Sequence, residues 1–250
     1  MTELLQLIVG GLAAGCVYAL IAVGYSLVYG ALELINFAFG DTYMLATFVA
    51  FGLLALGSPV ALAIAGCIGA GVAVSMLTER IAYRPLRNAN RIAPTVSAIG
   101  VALVLENVVE YFWGSGTFRF KEILPAGQFV VGGVEIGWVV IVIVGGTAVV
   151  SVALAVGLAR TGWGRAVRAI RDDLPTAEML GVNVNRAIVS AYAVGGALGA
   201  LAGIMFAAYY GVINVSMGFS GTMAAFAAVI IGGIGSLRGA IVGGLLLGVG

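Results

Sequence analysis

Histidine is absent from the 250 residues, and lysine occurs once, as Lys121 within TFRFKEI. The first absence removes Ser-His triads, HExxH zinc motifs and histidine proton relays. The second leaves no GxxxxGK phosphate loop, so any ATP this protein uses must be bound by another chain. The two cysteines, Cys16 and Cys67, sit in apolar stretches and give neither a disulfide framework nor metal-ligand spacing. No cofactor or metal is therefore expected. Charge is scarce too, with 9% of residues charged against roughly 25% in soluble globular proteins. A formal net charge of +1 offers no clustered basic surface for nucleic acid. The N-terminus, MTELLQLIVG, lacks the positive region of a cleaved secretory signal.

What the chain does contain is apolar sequence, 62% of residues with a mean hydropathy of +1.14. Residues 42–78, 136–159 and 187–237 carry no charge, and about 20 apolar residues suffice for one membrane helix. The expected fold is an all-α, multi-pass transmembrane bundle, with residues 1–250 as one permease-like domain. Spans are expected over 4–29, 60–78, 94–113, 137–159 and 187–210. The apolar stretch 43–57 falls short of a bilayer of about 30 Å, which draws residues 36–41 into the membrane as a broken segment. Residues 211–250 read as GVINVSMGFSG, a helix to Ile231, the turn GGIGSLRGA and a last run too short to cross, so a further C-terminal segment is expected. Residues 114–137 read as a mixed polar loop between Trp113 and Trp138.

Arginine placement orients the bundle. The net charge is +3 over residues 79–91, where Arg80, Arg84, Arg87 and Arg91 lie, +2 over 160–186, and zero over 114–137. The positive-inside rule places the first two loops in the cytoplasm of a cell with an inner membrane, and counting back puts the N-terminus outside.

Several polar groups fall at or near membrane depth: Glu33, Asn36, Asp41, Glu106 and Asn107. An ionisable group there costs about 2.5–3.5 kcal/mol on insertion scales and usually faces a bundle interior or a water-filled pathway. For Asp41 two compatible readings stand, an N-cap of the helix that follows GDTYML and a pathway residue. Glu106 reads as a packing-face or pathway carboxylate, since no second group at a fixed spacing makes it an acid/base pair. A membrane-embedded enzyme therefore lacks a catalytic set. Gly195, Gly199 and Gly203 recur every four residues and bare one helix face for close packing, within the bundle, at a subunit interface or at a hinge. Gly11 and Gly15, and Gly239 and Gly243, follow the same spacing.

The stretch GRAVRAIRDDLPTAEMLGVNVNR, residues 164–186, holds four of the twelve basic residues and three of the eleven acids. Residues 163–171 are expected to continue the preceding helix, with Arg165 and Arg168 on one face beside Asp172. Asp173 then caps a short second helix with Pro175 in its first turn and Gly181 past its end. Leu174, Ala177 and Leu180 share one side of it, with Glu178 off that stripe. Topology signalling needs only arginine; an acidic, capped helix fits a docking surface.

Four stretches carry a resemblance: LVYGALELINFAFGDTYML, ERIAYRPLRNANRIAPTVSAIG, GRAVRAIRDDLPTAEMLGVNVNR and FAAVIIGGIGSLRGAIVGG, in this order and spacing. Together they resemble the LivH-type permease of branched-chain amino acid ABC importers over nearly the whole chain, and TAEMLGVN resembles the EAA-type motif of a cytoplasmic coupling loop, residues 160–186. Two departures, Phe39 where relatives often have histidine and Glu106 where glutamine is common, bear on the substrate more than on the fold. The resemblance implies an importer of two permeases, this one and an identical or LivM-like subunit, with two ATP-binding subunits, an external solute-binding protein and surrounding membrane lipid. It implies that Arg165, Arg168, Asp172, Asp173, Glu178 and Gly181 meet the ATPase, and that Asn36, Asp41, Glu106 and Asn107 line or support the pathway. A permease for urea or short amides, and an ion-coupled transporter with Asp41 and Glu106 as carriers, are the alternatives.

Overall fold

Long uncharged runs bury their peptide groups only by hydrogen bonding within themselves, so they become helices, and among the described residues proline stays out of the α-helix interiors. The computed structural model describes residues 2–87, 89–90, 92–121, 123, 127–131 and 134–250. Arg91 and Glu122, counted above in the loop charges, lie outside them. Among the described residues ten α-helices follow one another. They are α1 (Thr2–Leu32), α2 (Phe39–Ala55), α3 (Val60–Thr78), α4 (Ile92–Trp113), α5 (Trp138–Arg160), α6 (Gly162–Asp172), α7 (Leu174–Met179), α8 (Val184–Tyr210), α9 (Met217–Gly232) and α10 (Leu237–Val249). Pro59, Pro94 and Pro175 stand at or within the first turn of α3, α4 and α7, where the missing N–H costs nothing.

Five helices are long and apolar enough to cross a membrane: Glu3–Leu32, Val60–Leu86, Ile92–Trp113, Trp138–Arg160 and Val184–Tyr210. α9 and α10 make a sixth only if their pair, bent by 118°, is counted as one broken span. α1 and α8 form the centre, with 56% and 61% of their apolar windows buried, against 17–22% in α3, α4 and α5. The outer three expose apolar faces such as Ile99, Leu103 and Val104 on α4 and Val149, Val152 and Val156 on α5. Such faces are stable only against hydrocarbon, so the chain is a multi-pass membrane protein.

α10 packs along α1, α3 along α8, and α2 between α3, α8 and α9. Gly15 and Gly248 let α1 and α10 approach backbone to backbone: a side chain on Gly248 would fall on the main chain of Gly15.

The loop expected over 114–137 contains strand pairing instead. β1 (Phe118–Arg119) pairs antiparallel with β4 (Val212–Ile213), and β2 (Gln128–Val131) with β3 (Val134–Gly137). Outside the hydrocarbon the backbone groups of this connection still need partners, and the Gly-Gly between two apolar runs in QFVVGGVEIG is a hairpin signal. The Gln6 side chain donates to Glu135 O and accepts from Glu135 N, both at 3.0 Å. The start of α1 therefore lies at the neutral end of the bundle, opposite the two arginine-rich turns.

Candidate functional site

α1 stops where Glu33 turns into the left-handed region, at φ 53°, a conformation that costs a non-glycine residue about 1–3 kcal/mol. The next residues are not helical until Phe39. Asn36, 3% exposed, closes that turn by accepting from Ala38 N at 3.1 Å. The N-cap position of α2 is therefore Ala38, and Asp41 does not cap it: Asp41 lies inside the first turn, 2% exposed, with no hydrogen-bond partner on Oδ1 among the described residues. The capping expectation fails because the Asn36 turn starts the helix earlier than the GDT pattern suggests.

The start of α9 meets the start of α2 at this carboxylate. Thr222 Oγ1 accepts from Gly40 N at 3.0 Å and donates to Gly218 O at 3.0 Å, and the Tyr43 hydroxyl donates to Met217 O. Contact is so close that a side chain on Gly40 would overlap Gly218 O, and one on Gly218 would overlap the Asp41 carboxylate. Both helices thus begin beside one buried acid: Asp41 lies in the first turn of α2, and Gly218 in the first turn of α9 lies against its carboxylate. A favourable partly buried helix end contributes up to about 2 kcal/mol to a neighbouring charge. Two of them are comparable with the roughly 2.5–3.5 kcal/mol cost of a carboxylate at membrane depth.

Of the remaining pathway candidates, half-buried Glu106 on α4 lies within electrostatic range of Asp41. Asn107 stands apart. It is exposed, its amide donates to Leu103 O of its own helix at 2.7 Å, and it lines a shallow groove of about 350 Å3 with Val104 and Phe112. Gly195, Gly199 and Gly203 turn their bare face to α1 and α2: added side chains there would meet Val28, Phe39 and Thr47 respectively.

At the basic end, residues 163–171 do not continue α5. Thr161 is extended, accepts from Gly164 N at 3.1 Å and caps a separate α6, while Gly164 lies directly on the Leu158 backbone. That contact folds α6 back on α5 and breaks the helix. α6 buries Val167 and Ile170 and exposes Arg165, Arg168 and Arg171. The Arg168 guanidinium donates to Leu158 O, and Trp163 Nε1 donates to Ser190 Oγ at 2.7 Å.

α7 begins as the sequence suggests, with Asp173 accepting from Thr176 N at 3.4 Å and from the Thr176 hydroxyl. Gly181 follows its end at φ 81°, and Val182 N donates to Ala177 O at 3.0 Å. The expected stripe of Leu174, Ala177 and Leu180 is not buried as a unit. Ala177 is 2% exposed and Leu174 half-buried, whereas Leu180 is 77% exposed beside Met179 at 83%. The helix stops at Met179, so Leu180 belongs to the outgoing turn. Arg165, Arg168, Asp172, Asp173, Glu178 and Gly181 are all exposed at this end.

A cluster unanticipated from sequence joins these two regions. α3 passes into a π-helical turn, Glu79–Tyr83, and a 3-10 turn, Arg84–Leu86. Glu79 is fully buried and ion-paired with Arg87, whose guanidinium also donates to Asn185 Oδ1 at 2.7 Å in the first turn of α8. The Tyr83 hydroxyl donates to Ile35 O at 3.2 Å, one residue before Asn36. Leu34, Arg84, Arg87, Leu174, Glu178 and Asn185 line a cavity of about 510 Å3 between the turn and α7. The signal available in the sequence was a lone acid among the arginines of ERIAYRPLR.

Residues 7–250 match the sequence family described as "Branched-chain amino acid transport system / permease component". The chain is 41% identical over 259 residues to a Pseudomonas aeruginosa protein named high-affinity branched-chain amino acid transport system permease protein BraD, covering 98% of this chain and 84% of that protein. It is 39% identical, over the same shares of 98% and 84%, to proteins named high-affinity branched-chain amino acid transport system permease protein LivH in Salmonella typhimurium and Escherichia coli. No solved structure is significantly similar to it.

Proposed function

The chain belongs to the family of branched-chain amino acid transport permease components, and from that membership we propose that it is a pore-forming subunit of an ATP-driven importer of branched-chain amino acids. A second permease subunit, identical or LivM-like, completes the pore. ATP-binding subunits engage the basic end, which the positive-inside rule assigns to the cytoplasm of the inner membrane, and a solute-binding protein delivers at the neutral end.

The observation that carries this reading is the meeting of α2 and α9 at Asp41. Both helices begin inside the bundle, which brings polar groups to membrane depth without exposing backbone to lipid. A zwitterionic head group needs such groups in exchange for water, and an aliphatic side chain needs the apolar wall around them. Asn36, Asp41 and Glu106 support this pathway; Asn107 serves the outer face of α4.

Coupling runs through the basic end. Arg165, Arg168, Asp172, Asp173 and Glu178, with the exposed pair Met179 and Leu180, form the surface offered to the ATPase, and Gly181 lets the chain turn back into α8. Arg87 then connects the start of α8 to the Glu79–Tyr83 turn, and Tyr83 connects that turn to the segment before Asn36.

Proteoliposomes holding the permeases and ATPase test the proposal. Labelled leucine should enter only with ATP on the ATPase side and binding protein on the other, and entry should survive collapse of ion gradients. Uptake that follows an ion gradient without ATP would overturn it, and saturable competition by urea or short amides but not by leucine or valine would move the substrate class.

A further inference from the structure

At the basic end, apart from α7, a cavity of about 500 Å3 opens between α1, α5, α6 and the turn joining α9 to α10. Three arginines line it, Arg168, Arg171 and Arg238, and no carboxylate does. Arg171 crosses its rim, packing on Gly30 and donating to Gly235 O at 3.0 Å. Its one acidic neighbour, Asp172, stands 4.0 Å from Nε and is 74% exposed, on the water side. Arg238 has no hydrogen bond or ion pair among the described residues and sits in the first turn of α10, whose N-cap Ser236 also lines the cavity. Three guanidiniums and a helix N-terminus together make a site of strong positive potential.

The inner wall has the opposite character. Leu27, Ala155 and Leu158 line it, and Ala155 is continuous with the exposed apolar face of α5 that carries Val152 and Val156. Deeper in, one helical turn from Gly30, Ser26 lines the cavity; the residue is 2% exposed, and its buried hydroxyl has no hydrogen-bond partner among the described residues. A buried hydroxyl left unpaired is unfavourable, so it marks a place where an acceptor belongs.

From this arrangement we propose that the cavity binds an anionic phospholipid of the inner leaflet. Its phosphate lies between Arg171 and Arg238, with Arg168, bonded to Leu158 O, adding positive charge from the rim; a glycerol-ester oxygen accepts from Ser26, and its acyl chains run along α5. A carboxylate from a protein partner would use the arginines but has no need of a hydrocarbon wall or a hydroxyl set below the charge.

The test uses the importer complex, or this chain alone if the importer reading fails, because the readout is lipid rather than uptake. Detergent-purified protein is titrated with phosphatidylglycerol, phosphatidylcholine and inorganic phosphate, and retained phospholipid is counted by native mass spectrometry. Phosphatidylglycerol should be retained over phosphatidylcholine, and inorganic phosphate should not displace it. R238Q and R171Q should each weaken retention about fivefold, the factor for one arginine near a lipid surface, while R238K keeps most of it. S26A should weaken both lipids alike. Equal retention of the two lipids, or R238Q and R171Q behaving as the parent does, overturns the proposal. Displacement by inorganic phosphate overturns the lipid as source in favour of a free anion, and loss of ATPase association in R238Q with lipid retention unchanged gives the cavity to a protein partner.

Discussion

Replacing Arg87 with methionine would leave Glu79, whose side chain is fully buried, without its ion-pair partner. Breaking a buried pair from one side costs about 3–5 kcal/mol, because an uncompensated charge stays behind. At roughly 2–4 °C per kcal/mol for a chain of this size, R87M should lower the apparent melting temperature by on the order of 10 °C. Replacing both partners by hydrophobic residues of similar volume removes the charge together with its counterion and is often neutral. The double variant E79M/R87M should therefore recover most of the loss. It still lacks the bond from Arg87 to Asn185, so α8 is no longer tied to the turn that reaches Ile35. ATP hydrolysis should then proceed with less solute carried per ATP than in the parent. Thermal unfolding of the purified complex gives the first quantity, and paired ATPase and uptake measurements in proteoliposomes give the second. A double variant as unstable as R87M would refute the energetic argument, and one with parental coupling would refute the transmission route.

Three further substitutions bear on the same regions. D41N keeps the shape of the side chain but removes the acid group between α2 and α9; membrane insertion and expression should be normal, and leucine uptake should fall at least tenfold. In G218A the added methyl falls on the Asp41 carboxylate, so a stability loss of about 1–3 kcal/mol is expected from overpacking, measurable as a shifted unfolding midpoint. E178R and G181V should both abolish uptake and ATPase association while insertion stays normal. G181V should in addition cost roughly 1–3 kcal/mol, since Gly181 holds φ 81° and valine is strained there; failed insertion in both would reduce the loop to a topology signal.

What could be read in advance depended on how far apart the interacting groups lie along the chain. Asp173, Pro175 and Gly181 describe a capped helix within nine residues, and each acts on its own neighbours, so α7 was legible. Of the two readings of Asp41, the cap failed because the Asn36 turn starts α2 earlier, and its burial was hidden because Gly40 and Thr222 touch although 182 positions separate them. Glu79 was counted only within the net charge of residues 79–91, since burial is invisible in a list of residues. The break at Thr161 was missed because the contact that folds α6 back needs a bare Gly164 against Leu158, and an apolar pattern continues smoothly across it.

By itself the sequence determined the class of solvent and the spans, because hydrocarbon enforces helix on every long uncharged run. It also excluded a GxxxxGK phosphate loop, since the one lysine, Lys121, stands in TFRFKEI. Only the tertiary structure decided where charge is tolerated in the membrane. That depends on which helix ends meet, and the close approach of α2 to α9 at Gly40 and Gly218 is a property of backbones distant in sequence. Packing likewise decided that three arginines from two separate segments, α6 and α10, surround one cavity beneath an unpaired serine.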